Sequence, residues 1–204
     1  ITGLLGSGRT ELALALFGLE KIASGSIVLN GEETRLTSPI AAQQNKIGYV
    51  PEDRLTEGLC LAQPIADNIT LSSLKRLSNA LGLIKNKDII ADANIWKDKF
   101  AIKTDDVRKY ASTLSGGNQQ KIVLSKWLSN DLDVLILNGP TVGVDVGAKQ
   151  DIHALVHDLA NEGLAVIIIS DAGSVTIANS TPAAANSHIY YTTDGSTPDA
   201  TLPP

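Results

Sequence analysis

Two apolar runs constrain what this chain can fold into more than any other feature: Val134-Leu135-Ile136-Leu137 and Ala165-Val166-Ile167-Ile168-Ile169. Neither alternates with polar residues, so each reads as a strand covered on both faces, as in a parallel sheet. Between them, Ala148 to Leu159 has the composition of a crossover helix. The three segments make a βαβ unit. The expected class is therefore α/β with a parallel sheet core.

The rest of the chain fits that frame. Ile1-Thr2 reads as the end of a strand whose beginning is missing, followed by a tight loop over Gly3 to Gly8 and a helix over Thr10 to Phe17. Ser26-Ile27-Val28-Leu29 reads as a strand running into an Asn30-Gly31 turn. Lys46 to Val50 reads as another short strand. Residues 64 to about 130 read as a helical insertion, with helices near Ile65–Leu77, Lys87–Phe100 and Gly117–Leu128. After Asp171 the character changes. Residues 172–204 hold no Lys or Arg and are rich in Ser, Thr, Ala and Pro, with short strands expected at Ser174–Ile177 and His188–Thr192.

Composition excludes several classes. A net charge of −5 over 204 residues argues against a general grip on nucleic acid, which needs a clustered basic surface. The longest apolar run, Leu164 to Ile169, is far shorter than the ~20 residues of a spanning helix. The opening Ile1-Thr2-Gly3 does not read as a signal peptide, so none is expected. The single cysteine, Cys60, cannot form an internal disulfide, and its place in Gly58-Leu59-Cys60-Leu61 marks it as a packing residue.

Two segments carry chemistry. Gly3-Leu4-Leu5-Gly6-Ser7-Gly8-Arg9-Thr10 has the spacing G-x-x-x-x-G-K-S/T, with Arg in the Lys position. Its glycines let backbone N–H groups turn toward phosphate oxygens, and the following helix adds its positive dipole end. Arg9 would reach the outer phosphates and Thr10 would ligate Mg²⁺. Arg9 keeps the charge of Lys but is longer and planar, so its fit differs. The second segment is Leu114-Ser115-Gly116-Gly117-Asn118-Gln119-Gln120-Lys121. Ser115 sits where an N-cap belongs, and the glycines allow close approach to an exposed helix start.

This second segment resembles the LSGGQ-type signature of ABC ATPases, in the LSGGNQQK form of sugar importers of the ribose/galactose/xylose type. The resemblance covers residues 1–171 and implies a P-loop NTPase domain with a helical subdomain, binding ATP and Mg²⁺. Gly48-Tyr49-Val50-Pro51-Glu52-Asp53-Arg54 is similar to the second-half form of the family's Q-loop, with Glu52 in place of Gln. Pro140 to Lys149 resembles the segment holding the D-loop, with Asp145 at the cross-dimer position. Together with Arg9, these features are those of the second nucleotide-binding domain of a fused ATPase. The resemblance also implies that strands preceding Ile1, with the aromatic that stacks on adenine, are missing.

The pattern breaks after the first apolar strand. Where the family has Asp-Glu-Pro-Thr, this chain has Asn138-Gly139-Pro140-Thr141. Asn138 is neutral and holds a metal's water shell weakly. Gly139 cannot act as a base, a loss of roughly 10²- to 10⁴-fold in rate. Ser170 falls where many relatives have a switch His. His153 and His157, spaced i, i+4 on the crossover helix, lack a third ligand and read as a solvated or packed face.

The expected function is an ATP-binding half of a sugar importer. Its own site is degenerate, while Ser115, Gly116, Gly117 and Gln119 complete the site of another ATPase half in trans. That implies membrane permease subunits, a periplasmic sugar-binding protein reached indirectly, no nucleic acid, and a peripheral place on the cytoplasmic face of the bacterial inner membrane. A non-catalytic regulatory nucleotide-binding module is the alternative favoured by Asn138-Gly139. Residues 189–198 resemble a β motif from the C-terminal module of chitobiase-like surface enzymes, which suggests a fusion and, on the tail alone, a surface carbohydrate-binding protein. A DNA-repair ATPase is disfavoured by the acidic charge and the sugar-importer form of the motifs.

Overall fold

The computed structural model describes residues 1–3, 6–171 and 189–190. In chain order the elements are β1 (Thr2–Gly3), α1 (Arg9–Leu16), β2 (Ile27–Leu29), β3 (Glu32–Thr34), α2 (Pro39–Gln44), β4 (Ile47–Val50), a π-helical turn (Arg54–Gly58), α3 (Ile65–Thr70) and α4 (Leu74–Leu77). They continue with α5 (Asn86–Lys99), α6 (Gly116–Leu128), β5 (Val134–Asn138), α7 (Val146–Asn161), β6 (Ala165–Asp171) and β7 (Ile189–Tyr190). The chain divides into two compact units. One comprises Ile1–Tyr49, Asp133–Asn138 and the described residues from His157 on; the other comprises Val50–Leu132 and Gly139–Val156.

In the first unit the sheet runs β1-β6-β5-β4. The central pairing is parallel, Val134 opposite Ala165 through Asn138 opposite Ile169. The apolar run of β5 is buried at every position. β6 differs from expectation: Ile169 is buried but Ala165 to Ile168 are half-exposed. The reason lies in the pairing, because β1 reaches only Ser170 and Asp171 and leaves the rest of that edge without a strand among the described residues. Helix α1 packs on β5 and β6, burying Ala13, Leu16 and Phe17, and Phe17 stacks on Tyr49 with centroids 5.2 Å apart.

A second sheet orders β3-β2-β7. The Asn30-Gly31 turn is the one the dipeptide predicts: both residues have positive φ, 54° and 84°, as a two-residue type I′ hairpin requires. The register Ile27 opposite Thr34 makes β3 a strand that the sequence reading did not contain. Nor did it contain α2, although Ser38 accepts from the Ala41 amide and Pro39 opens the helix, both ordinary start signals. Ile189–Tyr190 pairs antiparallel with β2, inside the expected strand at 188–192. The other expectations for the tail lie outside the described residues.

The second unit holds the helices expected near 87–100 and 117–128 as α5 and α6, whereas the one expected near Ile65–Leu77 is α3, a 3-10 turn (Leu71–Ser73) and α4. Both α5 and α6 pack on α3, over a core that includes Ile65, Ile69, Ala93, Ile122 and Leu124. Arg76 meets Asp92 in a two-pronged ion pair at 2.8 and 2.9 Å, the carboxylate largely buried. The reading of Cys60 as a packing residue is corrected. Cys60 is exposed, while Gly58 and Leu59 beside it are buried. What anchors this stretch is the Asn68 side chain, which accepts from the Cys60 amide at 2.8 Å and donates to the Cys60 and Pro64 carbonyls at 3.0 Å. Asn68 thus pairs the Cys60 backbone amide and carbonyl and adds a second bond to the Pro64 carbonyl, which also accepts the Asn68 amide at 3.1 Å.

Candidate functional site

The phosphate-loop residues lie between β1 and α1 in the first unit. Gly6 and Gly8 have φ of 79° and 86°, a conformation that glycine adopts without strain. A Cβ on either would meet nothing within 4 Å among the described residues, so conformation rather than crowding calls for glycine there. Gly8 is the N-cap of α1, and its carbonyl accepts the Leu12 amide at 2.9 Å. Gly6, Ser7 and Gly8 are exposed, Thr10 is half-exposed, and Arg9 is only 7% exposed. Gly3 lies in β1.

At the C-terminal end of β5, Asn138 is 2% exposed and its Nδ2 has no hydrogen-bond partner among the described residues. A buried unpaired donor is costly and calls for a ligand or water. Ser170, on the neighbouring strand, is half-exposed and its amide donates to the Ile1 carbonyl at 3.1 Å. A triphosphate fits this set, since it supplies acceptors. Mg²⁺ fits less well. Thr10 offers a hydroxyl oxygen and Asn138 a neutral amide, with no carboxylate in the Asn138-Gly139 pair, so the ion would be held chiefly by the phosphates it accompanies.

In the second unit the signature segment is assembled by close packing. Ser115 occupies the N-cap position of α6 with extended backbone, but its hydroxyl caps no amide. The N-cap position is the one expected, but the Ser115 Oγ accepts from the Asn118 Nδ2 at 2.9 Å rather than from a helix amide. Asn118 in turn accepts the Lys103 amide at 2.8 Å, joining the segment to the loop before it. Ser115 is exposed, whereas Gln119 is buried and donates to the Leu114 carbonyl at 3.1 Å. Gln119 therefore braces the segment from within.

The two glycines are needed by neighbours in this same chain. A Cβ on Gly117 would stand 2.5 Å from the Cβ of Ala148 in α7. A Cβ on Gly116 would stand 2.8 Å from the Arg54 Nη2 and 3.2 Å from the Gly143 carbonyl oxygen. Lys121 and Asp151 add an ion pair between α6 and α7 at 3.2 Å. Asp145 caps α7, accepting the Ala148 amide at 2.9 Å. Val142, three residues before Asp145, and Val146, next to it, are exposed at 46% and 74%, whereas Val144 is buried.

Glu52 and Gly139 also meet. A Cβ on Gly139 would lie 2.9 Å from the Glu52 Cγ, so the Glu52 side chain fills space that a side chain at 139 would need. Asp53 organises the next turn, accepting from the Thr56 hydroxyl at 2.7 Å and the Leu55 amide at 2.9 Å, and these bonds hold its carboxyl below the usual carboxylate range. His153 and His157 are exposed, and His157 Nδ1 lies 3.0 Å from Asn161 Nδ2.

The sequence reading assigned no role to Arg54, Asn118, Ala148 or Lys126. Lys126 is 8% exposed, donates to the Gly58 carbonyl at 2.6 Å, and is pulled down to about 8 by burial, against a smaller upward pull from Cys60. A basic residue on the inner face of an otherwise apolar helix stretch was the available signal.

Comparison with known proteins locates this arrangement. The family described as ABC transporter matches residues 1–142. A ribose import ATP-binding protein of Rhizobium meliloti is 45% identical over 168 residues, covering 82% of this chain and 33% of that protein. An L-arabinose transport ATP-binding protein of Geobacillus stearothermophilus is 45% identical over 172 residues, covering 83% of this chain and 33% of its own length. The chain thus spans about a third of the length of these relatives. Among solved structures, an ATP-binding cassette of an ABC transporter superposes with a TM-score of 0.71 at 17% identity, over 85% of this chain and 70% of that one. A nucleotide-free cassette gives 0.70 at 17% identity, over 83% and 68%. These two likenesses establish the α/β cassette fold.

Proposed function

The chain belongs to the ABC transporter family, and on that premise we propose that it is an ATP-binding domain energising sugar import, with a degenerate nucleotide site of its own and a signature segment that acts in trans. The observation that carries this reading is the contrast between its two motifs. The signature glycines are packed tightly against Ala148 and Arg54, with Ser115 exposed beside them. The strand end that should polarise water presents Asn138 and Gly139, which supply neither charge nor base.

In this reading Gly6, Gly8 and the start of α1 hold phosphate oxygens through backbone donors, and Arg9 adds charge. Thr10 and the unpaired Asn138 amide stand near the phosphates and their Mg²⁺. Ser115 and the start of α6 face the nucleotide bound to a second ATPase half. The exposed Val142 and Val146 on either side of Asp145 suit burial against that half. The half would work with membrane permease subunits and a periplasmic sugar-binding protein, from the cytoplasmic face of the inner membrane. No helix among the described residues is long and apolar enough to cross a membrane. The names of the relatives in the ribose and arabinose import group support the sugar assignment.

Ser115→Ala in the complete transporter tests this. Loss of ATP turnover at the other half's site is expected, and unchanged turnover would sink the proposal. The orphaned Asn138 amide beside Gly139 favours a second reading, a regulatory module that binds nucleotide without turning it over. Sugar uptake that persists when ATP hydrolysis by this half is the only hydrolysis blocked would fit both, so the Ser115→Ala result decides between them.

A further inference from the structure

Arg54 joins three pieces of backbone that the sequence keeps far apart. It opens the π-helical turn Arg54–Gly58, whose start is fixed by the Asp53 carboxylate. Its Nη1 donates to the Val142 carbonyl at 2.8 Å and its Nη2 to the Gly143 carbonyl at 3.0 Å. The same Nη2 lies where a Cβ of Gly116 would come within 2.8 Å, so the guanidinium lies directly against the first signature glycine. Its Nε is buried with no hydrogen-bond partner among the described residues. The other end of the turn is anchored to the same helix. The Gly58 carbonyl accepts Lys126 of α6 at 2.6 Å, and a Cβ on Gly58 would lie 3.1 Å from Val123 Cγ2. The turn is therefore splinted along α6 at both ends.

We infer that Arg54 is the positioning residue of the signature segment, holding the backbone of residues 142–143 against Gly116 and so setting the placement of Ser115. This rests on the reading above, in which the signature acts on a nucleotide held by another half. Two carbonyls one residue apart need two donors at fixed separation, which the planar guanidinium fork has and a lysine ammonium on a flexible stem does not. The adjoining Glu52 packs on Gly139, so a shift of the 52–54 segment moves the 139–143 loop and the signature start together. Arg54 is thus the link between the segment that resembles the Q-loop and the residues that face the partner nucleotide.

The test uses Arg54→Lys, Arg54→Ala and Ser115→Ala in the complete ATPase, measuring turnover, KM for ATP, thermal melting, and amide hydrogen exchange at residues 116–118 and 142–144. The expected result for Arg54→Lys is a turnover loss of up to about 10²-fold, with raised KM for ATP at the partner half's site. Faster exchange at both segments should accompany it. Melting and binding of a fluorescent ATP analogue at residues 3–10 should be kept, which a merely structural loss would not allow. Turnover that falls in Ser115→Ala but not in Arg54→Lys overturns the inference and leaves the proposed function standing. Turnover insensitive to Ser115→Ala refutes the proposed function instead. Exchange then decides for Arg54 alone: faster exchange at 116–118 in Arg54→Lys supports the positioning role, and unchanged exchange overturns it.

Discussion

Replacing Gly117 by alanine sets two effects against each other. Gly117 lies in the first turn of α6, where helix propensity alone would favour alanine by up to about 1 kcal/mol. The new Cβ would stand 2.5 Å from the Ala148 Cβ, against the 3.4–4 Å of ordinary contact. Both atoms are fixed to backbone, so no rotamer change relieves the overlap and the start of α6 must move off α7. Overpacking of this kind costs about 1–3 kcal/mol, so the clash outweighs the propensity gain. Gly117→Ala should then destabilise by roughly 0.5–2 kcal/mol. Ala148→Gly should cost about 0.5–1 kcal/mol through chain entropy in α7, but it removes the obstacle. The double variant should recover most of the loss, with a coupling energy of about 1–3 kcal/mol. Urea denaturation midpoints of the four proteins measure it. A Gly117→Ala protein at least as stable as its parent, or a cycle with zero coupling, would show that contact with α7 is not what this glycine serves.

Three further outcomes can be checked. Lys126 has its ordinary value of 10.5 lowered to about 8 by burial, so the unfolded chain holds the proton more tightly. Its contribution is therefore a destabilisation of roughly 3 kcal/mol, fully present below pH 8 and relieved as pH rises toward 10.5. Denaturation midpoints should rise across that window and lose the rise in Lys126→Met; a flat parent profile refutes the assignment. Gly139 has a φ of 57° and Glu52 in its side-chain space, so Gly139→Glu should lower the melting temperature and leave ATP turnover unchanged. A gain approaching the roughly 10²-fold of a positioned base would contradict this. Asp145→Ala removes the cap on the Ala148 amide and should cost about 0.5–2 kcal/mol in thermal or urea unfolding, whereas no change would mean the cap is replaced by solvent.

The sequence by itself determined the elements whose signal is local. The apolar run 134–137, between turn residues, favours a strand buried on both faces, and Asn30-Gly31 favours a turn with two positive φ angles; both form. The phosphate-loop glycines at 6 and 8 belong to the same group, because their conformation rather than their neighbours demands glycine. Local signals also existed for α2 in Ser38-Pro39, and the sequence reading passed over them. Other features depend on residues that meet only after folding. That the Ser115 hydroxyl binds Asn118 rather than a helix amide, or that Cys60 is exposed while Gly58 and Leu59 are buried, follows from packing and not from spacing. The half-exposed β6 could not be foreseen, because its apolar run matches that of β5; among the described residues β6 differs in that β1 pairs with it at Ser170 and Asp171 alone. The signature glycines show the division most clearly. Their spacing marks the segment, but the reason each must be glycine is Arg54 and Ala148, brought in from 62 and 31 residues away by the fold. Side-chain volume at a close contact is a property of the pair, and the chain order does not contain the pair.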